Sequence, residues 1–436
     1  MKKASRKGSR LRLFIFASAA VIILTVSLGI NSIRNSKEEI DEPQELSLNL
    51  LITNELNDLE ETRKLDSQIE RFMREWQLKG ASLAVMKDEK LIYSKGYGWA
   101  DEEMGVRMEP SHILRIASLS KLITAAGIMK LAEDSIISLD SRIFGKGGLL
   151  PFPADEDISD PRVRRITIEH LLRHRGGFTL RAGDPMFSTK LMSSRLKIDS
   201  VPCNDQIIEY CASRRLGFDP GNGTRYSNLG YVILSRVIEE VTGMSYEDYI
   251  KNEILKPAGI VDMHIANNYY EERYPNEVRY YEPSNEPLVE SYNGSGQMAQ
   301  RCYGGNNIKA LQGAGAWVGS PSEILLFVAS IDGKSGVADI LSNESIRIMT
   351  SSTSQTLPIG WAKATSSGEW SRTGTLSGSS ALLKYQKNGI SWILVTNTSS
   401  WKGATFPRQI DRLIKNGLNR VSEWPERDLF ELRILQ

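Results

Sequence analysis

Cysteine and histidine are scarce in this 436-residue chain: there are three of the first and four of the second. Cys203, Cys211 and Cys302 show no paired metal-ligand spacing, and none lies near Met1 in a lipid-attachment setting. In an oxidising compartment two of them would pair and leave one free. The histidines at 112, 170, 174 and 264 are too scattered for a metal site. His170 and His174 stand at i, i+4, but Leu171 follows the first, where a metalloprotease helix needs glutamate. A structural role on a helix face is expected for both, and no cofactor or metal. A phosphate-cradling glycine loop is missing. So is a Gly-x-Ser-x-Gly elbow, which argues against an ordinary α/β-hydrolase.

What is present reads as globular, at 41% hydrophobic and 25% charged, with length for one large domain or two ordinary ones. The net charge of +1 hides an asymmetry. Lys2, Lys3, Arg6, Lys7, Arg10 and Arg12 precede residue 30 with no acid among them, leaving the remainder at about −5. Nothing in that remainder suggests a nucleic-acid groove. After the cations, Leu13 to Ile30 runs without a charge. As a helix it spans roughly 27 Å, close to the hydrocarbon thickness of a bilayer. Basic residues before it and "KEEIDEP" after it orient the N-terminus toward the cytosol and the rest outside. Residues 1–30 are therefore expected to be a membrane anchor, with a cleaved signal ending near Ser27-Leu28-Gly29 as the alternative. The polar, acidic stretch 31–60 reads as a tether, 61–420 as the folded domain and 421–436 as a tail.

Periodicity predicts the main elements. "LDSQIERFMREW" puts Leu65, Ile69, Phe72, Met73 and Trp76 on one helical face. "ASLAVMKDEKLIYSKGYGWAD" is a hairpin around Lys87-Asp88-Glu89-Lys90. Helical patterns follow over 116–133, in "IEHLLRH" capped by Thr167, and in "SNLGYVILSRVIEEVTG". The irregular stretch 264–310 holds seven tyrosines between Tyr269 and Tyr303, which either line a cleft or pack at the surface. "SSALLKYQKN" and "ISWILVTNT" are strands, followed by the helix "FPRQIDRLIKNGL". That order predicts one sheet assembled from both chain ends around a mainly helical insertion.

Ser-x-x-Lys occurs at Ser118/Lys121, Ser194/Lys197 and Ser399/Lys402. A serine hydroxyl becomes a useful nucleophile when a neighbour takes its proton, and on a helix i and i+3 share a face. A lysine does that work only if burial or nearby cations lower its pKa from about 10.4. Ser118 stands at the start of a long apolar helix able to bury Lys121. Ser194 lies in a polar stretch crowded with cations, and Ser399 in the loop after the last strand.

"LRIASLSK" resembles the Ser-x-x-Lys motif of the serine β-lactamase and penicillin-binding protein superfamily, in its class C β-lactamase-like branch. Tyr226-Ser227-Asn228, inside "PGNGTRYSNLGYVILSRVIEEVTG", is similar to that branch's second motif; Tyr274-Pro275-Asn276 has the letters without the setting. "EWSRTGTLSGSS" is similar to the third, with Arg372 where Lys or His is usual, whereas Lys334-Ser335-Gly336 lacks strand neighbours. The resemblance covers about residues 60–420 and implies an α/β (α+β) β-lactamase-like fold: an antiparallel sheet flanked by helices.

It also implies a serine hydrolase acting through an acyl-enzyme. Ser118 would attack, Lys121 and Tyr226 share the proton, and Asn228 orient lysine and substrate. Arg372, Thr373, Gly374 and Thr375 would bind substrate, with the N–H groups of Ser118 and Thr375 as oxyanion hole. Two readings of Arg372 stay open: a bidentate clamp for a substrate carboxylate, or a substitution that reshapes the site. The substrate expected is a D-amino-acid peptide such as a cell-wall stem peptide, ahead of an ester or a β-lactam. The competing reading is a catalytically silent protein that uses the cleft as a receptor.

Overall fold

In "ASLAVM" every residue is apolar or small, as a strand covered on both faces requires. The computed structural model describes residues 47–179, 181 and 183–433. There the run is strand β1 (Gly80–Lys87), joined to β2 (Lys90–Asp101) by Asp88 and Glu89, both at positive φ. That is the turn twist a two-residue hairpin favours. With β3 (Val106–Arg107), β4 (Lys363–Ala364), β5 (Trp370–Leu376), β6 (Ser379–Tyr385) and β7 (Ile390–Thr396) it forms a seven-stranded sheet. The order is β3-β2-β1-β7-β6-β5-β4, antiparallel throughout. β1 pairs with β7, Ala81 opposite Thr396, so the two ends of the domain meet at the centre of the sheet. The expected fold class is the observed one.

Five helices organise the rest: α1 (Arg63–Trp76), α2 (Ser120–Glu133), α3 (Asn228–Thr242), α4 (Pro321–Ala329) and α5 (Pro407–Leu418). Alternation along β1 divides the core in two. Leu83 and Val85 pack with Leu65 and Ile69 of α1 and Ile410 and Ile414 of α5. Ala84 and Met86 share the second, larger core with Ile324 and Phe327 of α4 and the helical insertion. Inside that insertion, Ser227 Oγ accepts the Gly230 N–H at 3.0 Å to cap α3, and Gly243 (φ 70°) ends it. A small sheet pairs Leu114–Arg115 with Trp317–Gly319 and hands the chain to the turn that opens α2.

The expected domain limits need correction. Residues 47–60, read as tether, belong to the folded body: Leu48 and Ile52 are buried, and Asn49 Nδ2 donates to Asp262 Oδ2 at 2.8 Å. The part of the expected tail described here also packs. Leu429 and Phe430 are buried, and Arg427 donates to Ile92 O, Leu56 O and Asn57 Oδ1. Buried polar groups that find partners carry little cost, and a count of polar residues misses this. All three cysteines are free thiols. Among the described residues no helix is long and apolar enough to cross a membrane. The segment 13–30 lies outside those residues, as do 31–46 and 434–436.

Candidate active site

The turn Ala117–Leu119 in front of α2 carries Ser118. Ala117 takes φ 51°, a left-handed conformation that costs a non-glycine residue about 1–2 kcal/mol. The kink presents Ser118 to a cleft of about 320 Å³. Strand β5 closes against this turn, and Gly374 lets it: a Cβ there would stand 2.3 Å from Ile116 O and 3.1 Å from Ala117 Cβ.

Lys121, one helical turn on, is completely buried. Its Nζ donates to Asn228 Oδ1 at 2.8 Å and to the Ala314 carbonyl in a short contact, and lies 3.4 Å from Ser118 Oγ. Burial lowers its pKa to about 8; Tyr226 opposes that shift and Arg372 adds to it. Tyr226, just before the cap of α3, puts Oη 2.6 Å from Ser118 Oγ. Tyr226 is 42% exposed at the cleft, with Lys121 Nζ 4.8 Å and the Arg372 guanidinium carbon 5.8 Å from its ring centre. Desolvation pulls this phenol's pKa up, but Lys121 and Arg372 outweigh it and leave it below the usual 10.0.

Arg372 on β5 is 3% exposed. Its Nε donates to Ser118 O at 2.9 Å and its Nη2 reaches Tyr226 Oη at 3.4 Å. Thr373 and Thr375 line the cleft beside it. Two helix starts and one strand thus bring together all the residues singled out from the three motifs. Ser194 and Ser399 do not line the cleft. Lys334-Ser335-Gly336 lies by the β1–β2 turn, where Gly336 N–H donates to Glu89 Oε2. Asn276 is bound to Asp262 and Ser111 O. None of the tyrosines between 269 and 303 lines this cleft; Tyr280 packs under the Arg115 guanidinium, 4.2 Å from its ring centre.

Two residues of the site carry no signal in the sequence. His174, expected only on a helix face, stands with its ring centre 4.5 Å from that of Tyr226. Its Nδ1 accepts the Ser227 N–H at 3.3 Å, which places the proton on Nε2. Burial, then Arg372 and Lys121, hold its pKa well below 6.5, so it is neutral. Asp184 accepts from Asn228 Nδ2 at 2.7 Å. Both act through contacts made in space, which no local pattern announces. Among the described residues no cluster of three or more His, Cys, Asp or Glu is placed to hold a metal. The arrangement can do nucleophilic chemistry: a hydroxyl with a low-pKa amine and phenol within reach, in a field positive enough to favour an oxyanion.

Comparison with known proteins gives the same direction. The family model Beta-lactamase matches residues 65–414. The chain belongs to the beta-lactamase family. That family belongs to the serine β-lactamase and penicillin-binding protein superfamily. A penicillin-binding protein of Bacillus subtilis strain 168 is 30% identical over 207 residues, which span 47% of this chain and 42% of that relative. The chain therefore aligns with less than half the length of that curated relative. Among solved structures, the octameric penicillin-binding protein homologue from Pyrococcus abyssi superposes with a TM-score of 0.62 at 22% identity, covering 85% of this chain and 80% of its own. The D-amino acid amidase from Ochrobactrum anthropi SV3, complexed with L-phenylalanine amide, gives 0.63 at 21%, covering 83% and 99%. At those identities the likeness is one of fold.

Proposed function

We propose that the protein is an exported, class C β-lactamase-like serine hydrolase that cleaves an amide or ester through an acyl-enzyme, with a D-amino-acid peptide as its substrate. The hydrogen-bonded group of Ser118, Tyr226, Lys121 and Asn228 carries this reading. Ser118 Oγ bonds to the substrate carbonyl carbon, and its proton passes to Lys121 with Tyr226 as partner. The tetrahedral oxyanion is held by the N–H groups of Ser118 and Thr375. Collapse breaks the amide or ester bond, and the stored proton leaves with the amine or alcohol. Water then attacks the acyl carbon and releases acid and free Ser118. The names of the similar proteins, a penicillin-binding protein and a D-amino acid amidase, support D-configured amides.

A neutral ester is the second reading. The cleft walls include Leu311, Leu357, Trp361 and Leu376, and two nitrogens of Arg372 are already engaged inside the protein. A panel of D-Ala-D-Ala peptides, D-amino amides, p-nitrophenyl esters and a chromogenic cephalosporin tests both. D-amides and D-peptides should turn over fastest. Preference for esters would replace the first reading by the second. No turnover and no labelling by fluorophosphonate or penicillin would leave a receptor. The export part rests on the charge and length of residues 1–30. Full-length chain should fractionate with membranes, and chain lacking residues 1–40 should be soluble with the same specific activity. A mature N-terminus near Asn31 would establish a cleaved signal instead.

A further inference from the structure

Lys121 Nζ has two acceptors, Asn228 Oδ1 and Ala314 O, and beside them the hydroxyls of Ser118 and Tyr226. A neutral amine has two N–H donors and one lone pair. The two acceptors take both donors, so in tetrahedral geometry the lone pair is left for the side where the Ser118 and Tyr226 hydroxyls stand, bonded to each other at 2.6 Å, and the serine proton reaches it from there. This works only while Asn228 presents oxygen to the lysine. Its side chain is an amide that could as well turn its NH2 that way, and once Lys121 is neutral that NH2 would consume the lone pair. An ionised carboxylate accepts and cannot donate. Asp184 Oδ2 stands 2.7 Å from Asn228 Nδ2, while Asp184 Oδ1 accepts the Met186 N–H at 3.0 Å.

We propose that Asp184 is a positioning residue for the reaction: it fixes the amide of Asn228 so that the lone pair of Lys121 faces Ser118. The proposal rests on Ser118 being the nucleophile. Asp184 acts through Asn228 and touches neither Ser118 nor the substrate cleft. Its charge adds a second effect. Lys121 is faced by Asp184 across Asn228, by Tyr226 and Tyr231 from around the start of α3, by Arg372 from β5, and by His174 from the loop after Leu172. Asp184 is the one acid in this set, and its field favours the protonated amine.

Asp184→Asn separates positioning from support. An asparagine there can still accept the Met186 N–H, so the turn keeps its cap. Its NH2 then falls where Oδ2 was, facing the NH2 of Asn228, and the Asn228 amide turns its nitrogen toward Lys121. The expected result is a fall in plateau kcat/KM of roughly 10- to 100-fold, with KM little changed. The acid limb of the pH–rate profile moves to lower pH, because the lost charge had held the lysine proton on. Asp184→Ala removes the cap yet leaves Asn228 free to be oriented by Lys121 itself. It should cost more stability and less activity than Asp184→Asn. In the Asn228→Ala background Asp184→Asn should change the plateau by less than about threefold.

The Lys121 titration can also be read without turnover, by carbon NMR of its side chain. A midpoint lowered in Asp184→Asn supports the proposal. An unmoved midpoint, or activity losses that rank with loss of stability, overturns it. If wild type forms no acyl-enzyme, the nucleophile assignment fails on its own, and the NMR titration still decides the role of Asp184.

Discussion

Replacing Ser118 by alanine is expected to lower turnover by about 10⁴-fold or more and to abolish covalent labelling, with the fold intact. The magnitude follows from what the hydroxyl does: without it no acyl-enzyme forms, and what remains is oxyanion stabilisation and binding. The side chain is small and meets the cleft, so its removal leaves no sizeable cavity. Ser194→Ala and Ser399→Ala should leave kcat/KM within about twofold, because neither serine reaches the cleft. Lys121→Ala should approach the Ser118→Ala value, since the two act as a unit and losses of that kind do not add. Steady-state kinetics with a chromogenic ester, with gel labelling by a fluorophosphonate, reads all four variants. A Ser194→Ala loss equal to that of Ser118→Ala would remove Ser118 from its role.

Much of this was legible in the chain because it is written locally. The burial of Lys121 follows from the apolar run around it, and the setting of Asn228 from the Ser227 cap and the helix behind it. The meeting of β1 with β7 follows from strand patterns at both ends of the domain. What was illegible is satisfied polarity and action across space. Residues 47–60 look solvated by composition, yet Asn49 and Asn57 are buried with their amides bonded. Asp184 is an unremarked acid in a loop until folding sets it against Asn228. His174 counts as a helix-face residue until its positive φ of 59° turns the chain out of that helix beside Tyr226. The tyrosines of the stretch 264–310 stand outside the Ser118 cleft, and several of them pack around Arg115 and against one another.

Arg372 stands where the resemblance of its motif leads one to expect lysine or histidine, and the geometry changes what its removal should do. A clamp for a substrate carboxylate would present a free guanidinium fork to the cleft. Instead Nε holds the carbonyl of Ser118 and Nη2 faces the Tyr226 hydroxyl, with the side chain 3% exposed. Arg372 also makes no ion pair with an acid among the described residues, so its charge acts on Lys121, Tyr226 and His174. Arg372→Ala should therefore lower kcat/KM for neutral esters and for carboxylate-ending peptides alike. The loss should be roughly 10- to 150-fold, the worth of one charge-assisted hydrogen bond at about 1.5–3 kcal/mol.

The pH profile supplies the sign. Arg372 depresses the Lys121 pKa, which stands at about 8, so without the cation that pKa rises. More lysine is then protonated at any given pH, and the acid limb moves upward, opposite to the shift expected from Asp184→Asn. Arg372→Lys keeps the charge and should restore the limb. It cannot hold Ser118 O and Tyr226 Oη with one rigid fork, and should recover only part of the rate. A loss confined to substrates with a free carboxylate, with the acid limb unmoved, would return Arg372 to the role of a clamp. That outcome would also favour the D-peptide over the neutral ester, because only the peptide brings a carboxylate for the guanidinium to hold.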